Sequence, residues 1–428
     1  MSHSFTPTTA AKRIPQEIHD EIIAFLYDDR EALKTCALVC RAWLPRVRFR
    51  LFRAVTLDPS PRSCNFVKLA QLCPEIQPYV RDLELRGRAP SSKAWWELAQ
   101  PTDIPWPTLP GGVPHPAALR REPDAVEVLS WLRLTFAPPD RGGGPPLLTL
   151  SKIHTLRLSE TTLNTESAAF LAEVFPHVRT LSVNQCRVMS FAGLARLFQA
   201  FPRLSTLRLL AVEWLPHRTG GVLPDTTPGS LASLTAVDFS RDIYVEPLIE
   251  WFLKVSAHKS IRSLTCSIAT RKSATAIRTF LMASGTLLHE LSITLAEAQD
   301  PTAILEATQL DLSTSMGLRS LHIPCLHSRM GFPSRSLSWV LILLAKVRSP
   351  HLEEIRISIT SPELARLNLE GLDVVLAQNA LSRMRSLTFD VDDTKVASKR
   401  GPAEVERLLT QRVPTASAQR LVRVEYRC

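Results

Sequence analysis

The strongest constraint on the fold is a triplet of apolar, polar and apolar residues that recurs along most of the chain. From residue 157 onward, the middle residues of successive triplets lie 25, 26, 30, 27, 27, 30, 34, 32 and 37 positions apart. Each triplet predicts a short strand whose neighbouring side chains point to opposite faces. The triplets occupy residues 83–85, 156–158, 181–183, 207–209, 237–239, 264–266, 291–293, 321–323, 355–357, 387–389 and 424–426.

The segments between triplets carry helical spacing, most clearly over 165–175, 191–201, 273–283, 337–347 and 404–411. In four repeats a proline stands five residues before the first apolar strand residue, at Pro78, Pro176, Pro202 and Pro350. Because proline cannot continue a helix, this offset predicts where the preceding helix must end.

Strands separated by helices at this spacing predict a parallel sheet with crossover connections. Since the middle residue of each triplet is polar, one sheet face is expected under the helices and the other in water. The pattern therefore predicts an α/β solenoid with concave strands and convex helices. It resembles degenerate leucine-rich repeats, although only the repeat at 181–183, with Cys186 three residues later, matches L-x-L-x-x-N/C. An ordinary α/β sheet is the alternative.

The N-terminal segment predicts two helices. Ile14, Ile18, Ile22 and Leu26 recur every fourth residue, which places them on one helix face, and Pro15 suits the first turn. A second helix is expected to begin near Asp28, as an N-cap with a capping-box glutamate three residues later, and to end near Trp43.

This helical segment carries more apolar residues than its size can bury. Leu38, Val39 and Trp43 do not fit the stripe formed by Leu33, Ala37 and Cys40. A segment of about 40 residues rarely buries two apolar faces against itself, so either the downstream array or another protein should cover the second face.

The strings I-P-x-E-I, I-x-x-x-L, C-A-L-V-C-R-x-W and L-F, in this order between Ile14 and Phe52, resemble the F-box of fungal F-box proteins. Ile14 departs from the leucine usual in that family, a volume-conserving change. The resemblance implies binding to the Skp-type adaptor of cullin ubiquitin ligases, and the alternative is a helical cap on the array. The residues it implies for adaptor binding are Ile14, Pro15, Ile18, Ile22, Leu26, Leu33, Leu38, Val39 and Trp43.

These patterns predict five regions. Residues 1–11 form a disordered tail, 12–53 an F-box helical domain, and 54–89 a linker helix with the first repeat. Residues 90–147 are an irregular insertion rich in proline and tryptophan with one helix, and 148–428 form the repeat array.

The net charge of +10 is compatible with a nucleic acid or an acidic partner. The basic residues are spread along the chain, however, apart from one cluster at Arg41, Arg46, Arg48, Arg50 and Arg53, with no interleaved aromatic face. We therefore expect a protein partner, with neither nucleic acid nor membrane involved.

The eight cysteines have no paired spacing, which favours free thiols in an intracellular compartment, cytoplasmic or nuclear. No zinc-type spacing, Walker loop, nucleophile elbow or H-E-x-x-H motif occurs. We expect no metal, no cofactor and no catalytic residue.

The F-box resemblance thus implies a non-catalytic substrate receptor of an SCF-type ubiquitin ligase, with a Skp-type adaptor, a cullin scaffold and an unknown protein target as partners. The alternative is a leucine-rich-repeat interaction scaffold without a ligase. The target is expected on the concave face, at Arg157, Ser182, Arg208, Asp238, Thr265, Ser292, His322, Arg356 and Thr388.

Overall fold

The computed structural model divides the chain into two compact units. The first comprises residues 1–157 and 173–177, and the second comprises 158–172 and 178–428. The predicted tail and the insertion at 90–147 lie outside the described residues. The structure describes residues 15–58, 60–87, 150–163, 165–188, 190–214, 231–239, 245–295, 301–325, 337–377, 383–394 and 401–427.

The first unit opens with three short helices, where two were predicted. These are α1 (Gln16–Phe25), α2 (Arg30–Cys36) and α3 (Leu44–Phe52). They are followed by β1 (Ala54–Leu57), α4 (Pro61–Leu72), a 3₁₀ helix (Pro74–Tyr79) and β2 (Asp82–Arg86), and β1 pairs in parallel with β2.

Three local predictions for these helices were wrong. Asp29, rather than Asp28, caps α2, because its carboxylate accepts a hydrogen bond from the backbone N–H of Ala32 at 2.9 Å. Pro15 precedes the first helical residue of α1 instead of lying in its first turn. The second helix does not run to Trp43 but ends at Cys36, and a separate α3 follows.

The three helices share a small core made of one residue from each: Ile23, Leu33 and Val47. Each of these side chains is at most 1% exposed. Leu26, Cys36, Ala37, Trp43 and Leu51 pack around them. The helical segment therefore has an apolar core of its own.

The second unit is built on parallel strands that pair in sequence order, as predicted. Every predicted triplet lies within a strand. The strands after β2 are β3 (Thr155–Ser159), β4 (Thr162–Leu163), β5 (Thr180–Asn184), β6 (Arg187–Val188), β7 (Thr206–Leu210), β8 (Glu213–Trp214), β9 (Ala236–Phe239), β10 (Ser263–Ser267), β11 (Glu290–Thr294), β12 (Ser320–Pro324), β13 (Glu354–Ile359), β14 (Ser386–Asp392) and β15 (Val422–Arg427).

Helices lie between most of the long strands, and the five helices predicted between triplets of the array are all present. The described α-helices that follow α4 are α5 (Thr165–Val174), α6 (Phe191–Gln199), α7 (Glu246–Lys254), α8 (Arg271–Ser284), α9 (Pro301–Thr308), α10 (Ser338–Ala345), α11 (Ser361–Leu364), α12 (Leu369–Leu376), α13 (Pro402–Arg412) and α14 (Pro414–Ala418). The helices α5, α6 and α10 end before Pro176, Pro202 and Pro350, as expected, whereas Pro78 lies inside the 3₁₀ helix.

The strands alternate between a buried and an open face. In β10, for example, Leu264 and Cys266 are buried while Thr265 is half-buried. The fold is therefore a parallel α/β repeat array, which is consistent with the predicted leucine-rich-repeat-like solenoid.

A second parallel ladder, β4–β6–β8, was not predicted. Cys186 directly precedes β6 of this ladder and is fully buried, and its thiol lies 3.2 Å from the carbonyl oxygen of Leu158 in the preceding repeat. Burial raises the pKa of this thiol to about 12. Cys186 thus acts as a neutral core residue that joins two repeats.

The residue equivalent to Cys186 in the preceding repeat is Thr161, which is 4% exposed and whose hydroxyl has no hydrogen-bond partner among the residues that the structure describes. Since a buried hydroxyl without a partner is destabilising, Thr161→Val should raise the free energy of unfolding by about 1 kcal/mol. Urea unfolding measures this change.

The control for that variant is Thr235→Val, because the hydroxyl of Thr235 donates to the carbonyl of Ser205 at 3.1 Å. We expect no gain there. A Thr161→Val protein no more stable than wild type would show that the hydroxyl is satisfied in solution.

Candidate functional site: the open face of the array and the N-terminal helices

The predicted target-binding residues of the second unit form one continuous row across the sheet. Ser182 pairs in register with Arg208, which pairs with Asp238, and the pattern continues strand by strand. We call this row the mid-strand column: Ser182, Arg208, Asp238, Thr265, Ser292, His322, Arg356 and Thr388.

The column ends differently from the prediction. Arg423 pairs with Thr388, whereas Glu425, the middle residue of the predicted triplet 424–426, pairs with Asp390. The triplet was therefore placed two residues too late. Arg157, the first predicted target residue, is exposed on β3 and belongs to the first unit.

Thr388 is an exception among the predicted contact residues, because only 2% of it is exposed. Arg356 on β13 and Glu425 on β15 are joined by a 2.7 Å hydrogen-bonded ion pair, although β14 separates their strands. Hydrogen bonding to Glu425 raises the pKa of Arg356. The ion pair bridges β14, the strand that carries Thr388. Arg356 is therefore more accessible to a target than Thr388 is.

A chain of hydrogen-bonded polar side chains begins within the column and spans the five strands from β11 to β15. His322 Nδ1 lies 3.1 Å from Ser292 Oγ, and His322 Nε2 lies 2.8 Å from Ser358 Oγ. The hydroxyl of Ser358 donates to Asp390 Oδ2 at 3.2 Å, and Arg427 binds the same oxygen at 3.0 Å.

The acceptor at the end of this chain determines its direction. An ionised Asp390 can only accept, so the single hydroxyl proton of Ser358 points to it. Ser358 must then accept from Nε2–H of His322. In a neutral imidazole, Nδ1 then accepts from the hydroxyl of Ser292, whereas an imidazolium would donate to that hydroxyl.

The surroundings of His322 favour that neutral form. Burial is the largest effect that lowers the pKa of His322, and the positive charge of Arg356 lowers it further. Asp390 and Glu354 act in the opposite direction but do not outweigh these two effects.

Sequence reasoning missed Ser358, Asp390 and Arg427 in this site. Each lies two residues after a position on the open face, and strand residues two apart share a face. Extending the alternation beyond the triplets would have found them.

The predicted adaptor-binding residues differ widely in exposure. Ile18 is 44% exposed, Ile22 42%, Leu38 87% and Val39 60%. Pro15 is also exposed. We call Ile18, Ile22, Phe25, Leu38 and Val39 the helical apolar surface.

Other residues of that prediction face inward. Leu33 is 1% exposed in the helical core, so it is not available to a partner, and Leu26 is partly buried against the same core. Trp43 packs on the core and against the ring of His19 at 5.8 Å between centroids. Ile14 lies outside the described residues.

Phe25, 83% exposed, was missed by the sequence analysis. It follows Ile18 by seven residues and Ile22 by three, a spacing that keeps all three on one helix face. The core contact of α1 instead comes from Ile23, so the apolar stripe on α1 lies mainly toward solvent.

The basic cluster in this region has local partners. Arg46 and Arg53 lie over the ring of Phe49, at 5.6 and 5.8 Å from its centroid. Arg48 lies 3.5 Å from Glu75, and Arg53 lies 3.4 Å from Asp82. These contacts give three of the five arginines in the cluster a structural role within the first unit.

Within the described ranges, no group of three or more His, Cys, Asp or Glu side chains could hold a metal ion. None of the helices in that part of the chain combines the length and apolar character needed to cross a membrane.

The fold and the register define a class: a parallel α/β repeat protein with a short helical segment ahead of its sheet. No family model matches the chain, and no curated protein matches it. Among solved structures it is similar to a chain in the crystal structure of the Rad7 and Elc1 complex in yeast, with 13% identity over 93% of this chain and 89% of that chain. The TM-score of 0.34 is too low to support an argument from this likeness.

Replacing His322 should reduce the pH dependence of stability. Since the pKa of His322 is lowered below 6.5 in the folded state, its stabilisation is present above that pH and is lost as pH falls through the folded pKa. His322→Gln should therefore lose less unfolding free energy than wild type between about pH 8 and pH 5. Urea titrations at both pH values measure the difference.

His351→Gln serves as the control, because that histidine is exposed. It should leave the pH response close to that of wild type. Equal pH responses in wild type and His322→Gln would contradict the assigned neutral imidazole.

Proposed function

We propose that this protein is a substrate receptor of an SCF-type ubiquitin ligase. Its N-terminal helices bind the Skp-type adaptor, which links the chain to the cullin scaffold. The open face of the array binds a protein target. The chain performs no covalent chemistry itself and accelerates ubiquitin transfer by holding the target near the other subunits, a proximity effect. This function would operate inside the cell, in the cytoplasm or nucleus.

The helical apolar surface is the observation that carries this proposal. Large apolar side chains on α1, and on the segment that follows α2, remain exposed although the three helices already have a packed core. Exposed apolar side chains beside a core that is already packed are typical of a surface that another protein covers. The F-box resemblance favours the Skp-type adaptor as that protein.

The mid-strand column supports the second half of the proposal. It presents hydroxyls, an imidazole and charges of both signs in one register across the strands. Three of these side chains are held by hydrogen bonds: Ser292 and His322 to each other, and Arg356 to Glu425 outside the column. Little entropy of these side chains would therefore be lost when a target binds.

Removing two side chains from the helical apolar surface tests adaptor binding. Leu38→Ala with Val39→Ala should weaken binding to a purified Skp-type adaptor tenfold or more, by roughly 1.4 kcal/mol, since buried leucine and valine anchors contribute on this scale. Isothermal titration calorimetry measures the affinity.

The chain offers a closely matched control. Leu72 is 82% exposed and Val374 is 69% exposed, compared with 87% for Leu38 and 60% for Val39. Leu72→Ala with Val374→Ala removes the same atoms elsewhere and should leave the affinity unchanged.

Two outcomes would overturn the ligase proposal. One is a wild-type protein that does not bind the adaptor, and the other is equal affinity for both double variants. In either case the alternative would remain: a repeat scaffold that binds proteins without a link to ubiquitin transfer.

A further inference from the structure

A second row of side chains lies immediately before the strands, and three of its adjacent members are basic. Arg262 precedes β10, His289 precedes β11 and Arg319 precedes β12. The backbone N–H of His289 donates to the carbonyl of Arg262 at 2.8 Å, and that of Arg319 donates to the carbonyl of His289 at 2.7 Å. We call these three residues the basic edge.

The backbone ladder holds the basic edge in a fixed geometry. Neighbouring strands lie about 4.8 Å apart, so the two arginine backbones are separated by about 10 Å with the histidine between them. The side chains thus start from rigid positions on three consecutive repeats.

Both guanidinium groups retain capacity to bind a ligand. The structure gives the guanidinium of Arg319, an exposed residue, no hydrogen bond or ion pair within the described ranges. Arg262 donates through Nη1 to the carbonyls of Lys259 and Leu287, at 3.2 and 3.4 Å, which neutralises no charge. Guanidinium groups have five N–H donors, so several remain for an acceptor.

The pKa of His289 indicates an excess of positive charge around this residue. Burial lowers the pKa of His289 most, followed by the charges of Arg319 and then Arg262. Glu290 has the opposite effect, but it is smaller than that of either arginine. The local acid therefore does not cancel the basic edge.

Acidic groups limit the extent of this positive region. Glu290 is exposed on β11, and Glu353, next to Arg319 along the row, lies 3.0 Å from Arg385. Glu354 follows on β13, 3.6 Å from Arg356. A short acidic segment can contact the three basic residues without reaching Glu353, whereas a long polyanion such as a nucleic acid that runs past Arg319 toward β13 would meet Glu353 and Glu354.

We propose that Arg262, His289 and Arg319 bind an acidic segment of the target protein. This inference rests on the proposed function, because it specifies the chemistry of the target. Carboxylate and phosphate groups are both acceptors that arginine can bind through paired N–H donors, and either could supply the negative charge.

The test uses the intact chain and three fluorescent probes: a peptide with three glutamates at alternate positions, the same peptide with phosphoserines there, and an oligothymidylate of equal charge. We expect at least one peptide to bind. Arg319→Gln should weaken that binding about fivefold or more, the effect of losing one charge-assisted contact. Fluorescence anisotropy gives the affinities, and the better peptide identifies the anion.

Arg196→Gln is the matched control, because it makes the same change of charge on an exposed position of α6. It should leave peptide affinity unchanged. Equal loss in the two variants would mean that only net charge matters and would overturn the proposal.

A second experiment measures the pKa of His289 by NMR of protein with labelled histidine. The His289→Gln variant assigns the resonance of this residue. A bound anion offsets the repulsion from both arginines, so peptide binding should raise the pKa of His289. An unchanged pKa in the presence of saturating peptide would overturn the site.

Failure of all peptides to bind, or tighter binding of the oligothymidylate through Arg319, would also overturn it. None of these measurements involves the adaptor. Failure here is therefore distinguishable from failure of the ligase proposal, which the adaptor titration tests separately.

Discussion

The parallel hydrogen-bond ladder is the interaction on which the rest of the structure depends. Each strand pairs with the next without a shift, so a side chain at a given strand position has the equivalent side chain of the next repeat beside it. This register brings together residues about 30 positions apart in sequence, such as Ser292 and His322. The mid-strand column and the basic edge are both consequences of one backbone arrangement.

The strands could be predicted from the sequence because their physical requirement is local. An apolar residue on each side of a polar one already states which face is buried, as Leu291, Ser292 and Ile293 do. The helices of the array could also be predicted, since proline shows where several of them must end. The two-residue strands β4, β6 and β8 were missed, because a segment that short has no period to detect.

The candidate sites were less predictable, for a different reason. A spacing of four residues placed Ile18 and Ile22 on one face, but it could not show that this face points to solvent and that Ile23 enters the core. That choice depends on Leu33 and Val47, which belong to other helices. Ser358 and Asp390 act together only because β13 and β14 are adjacent.

The polar chain from Ser292 to Asp390 has one further consequence. Because each hydroxyl and the neutral imidazole have a single O–H or N–H proton, the orientation of every group in the chain is set by the carboxylate at its end. If Asp390 were lost, Ser358 could turn, the imidazole could carry its proton on the other nitrogen, and Ser292 could change from donor to acceptor. A ligand at β11 would then meet reversed polarity although nothing near it had been altered. A change at β14 can thus alter the hydrogen-bonding roles of side chains on β11 through the positions of hydrogen atoms alone, with no movement of the backbone.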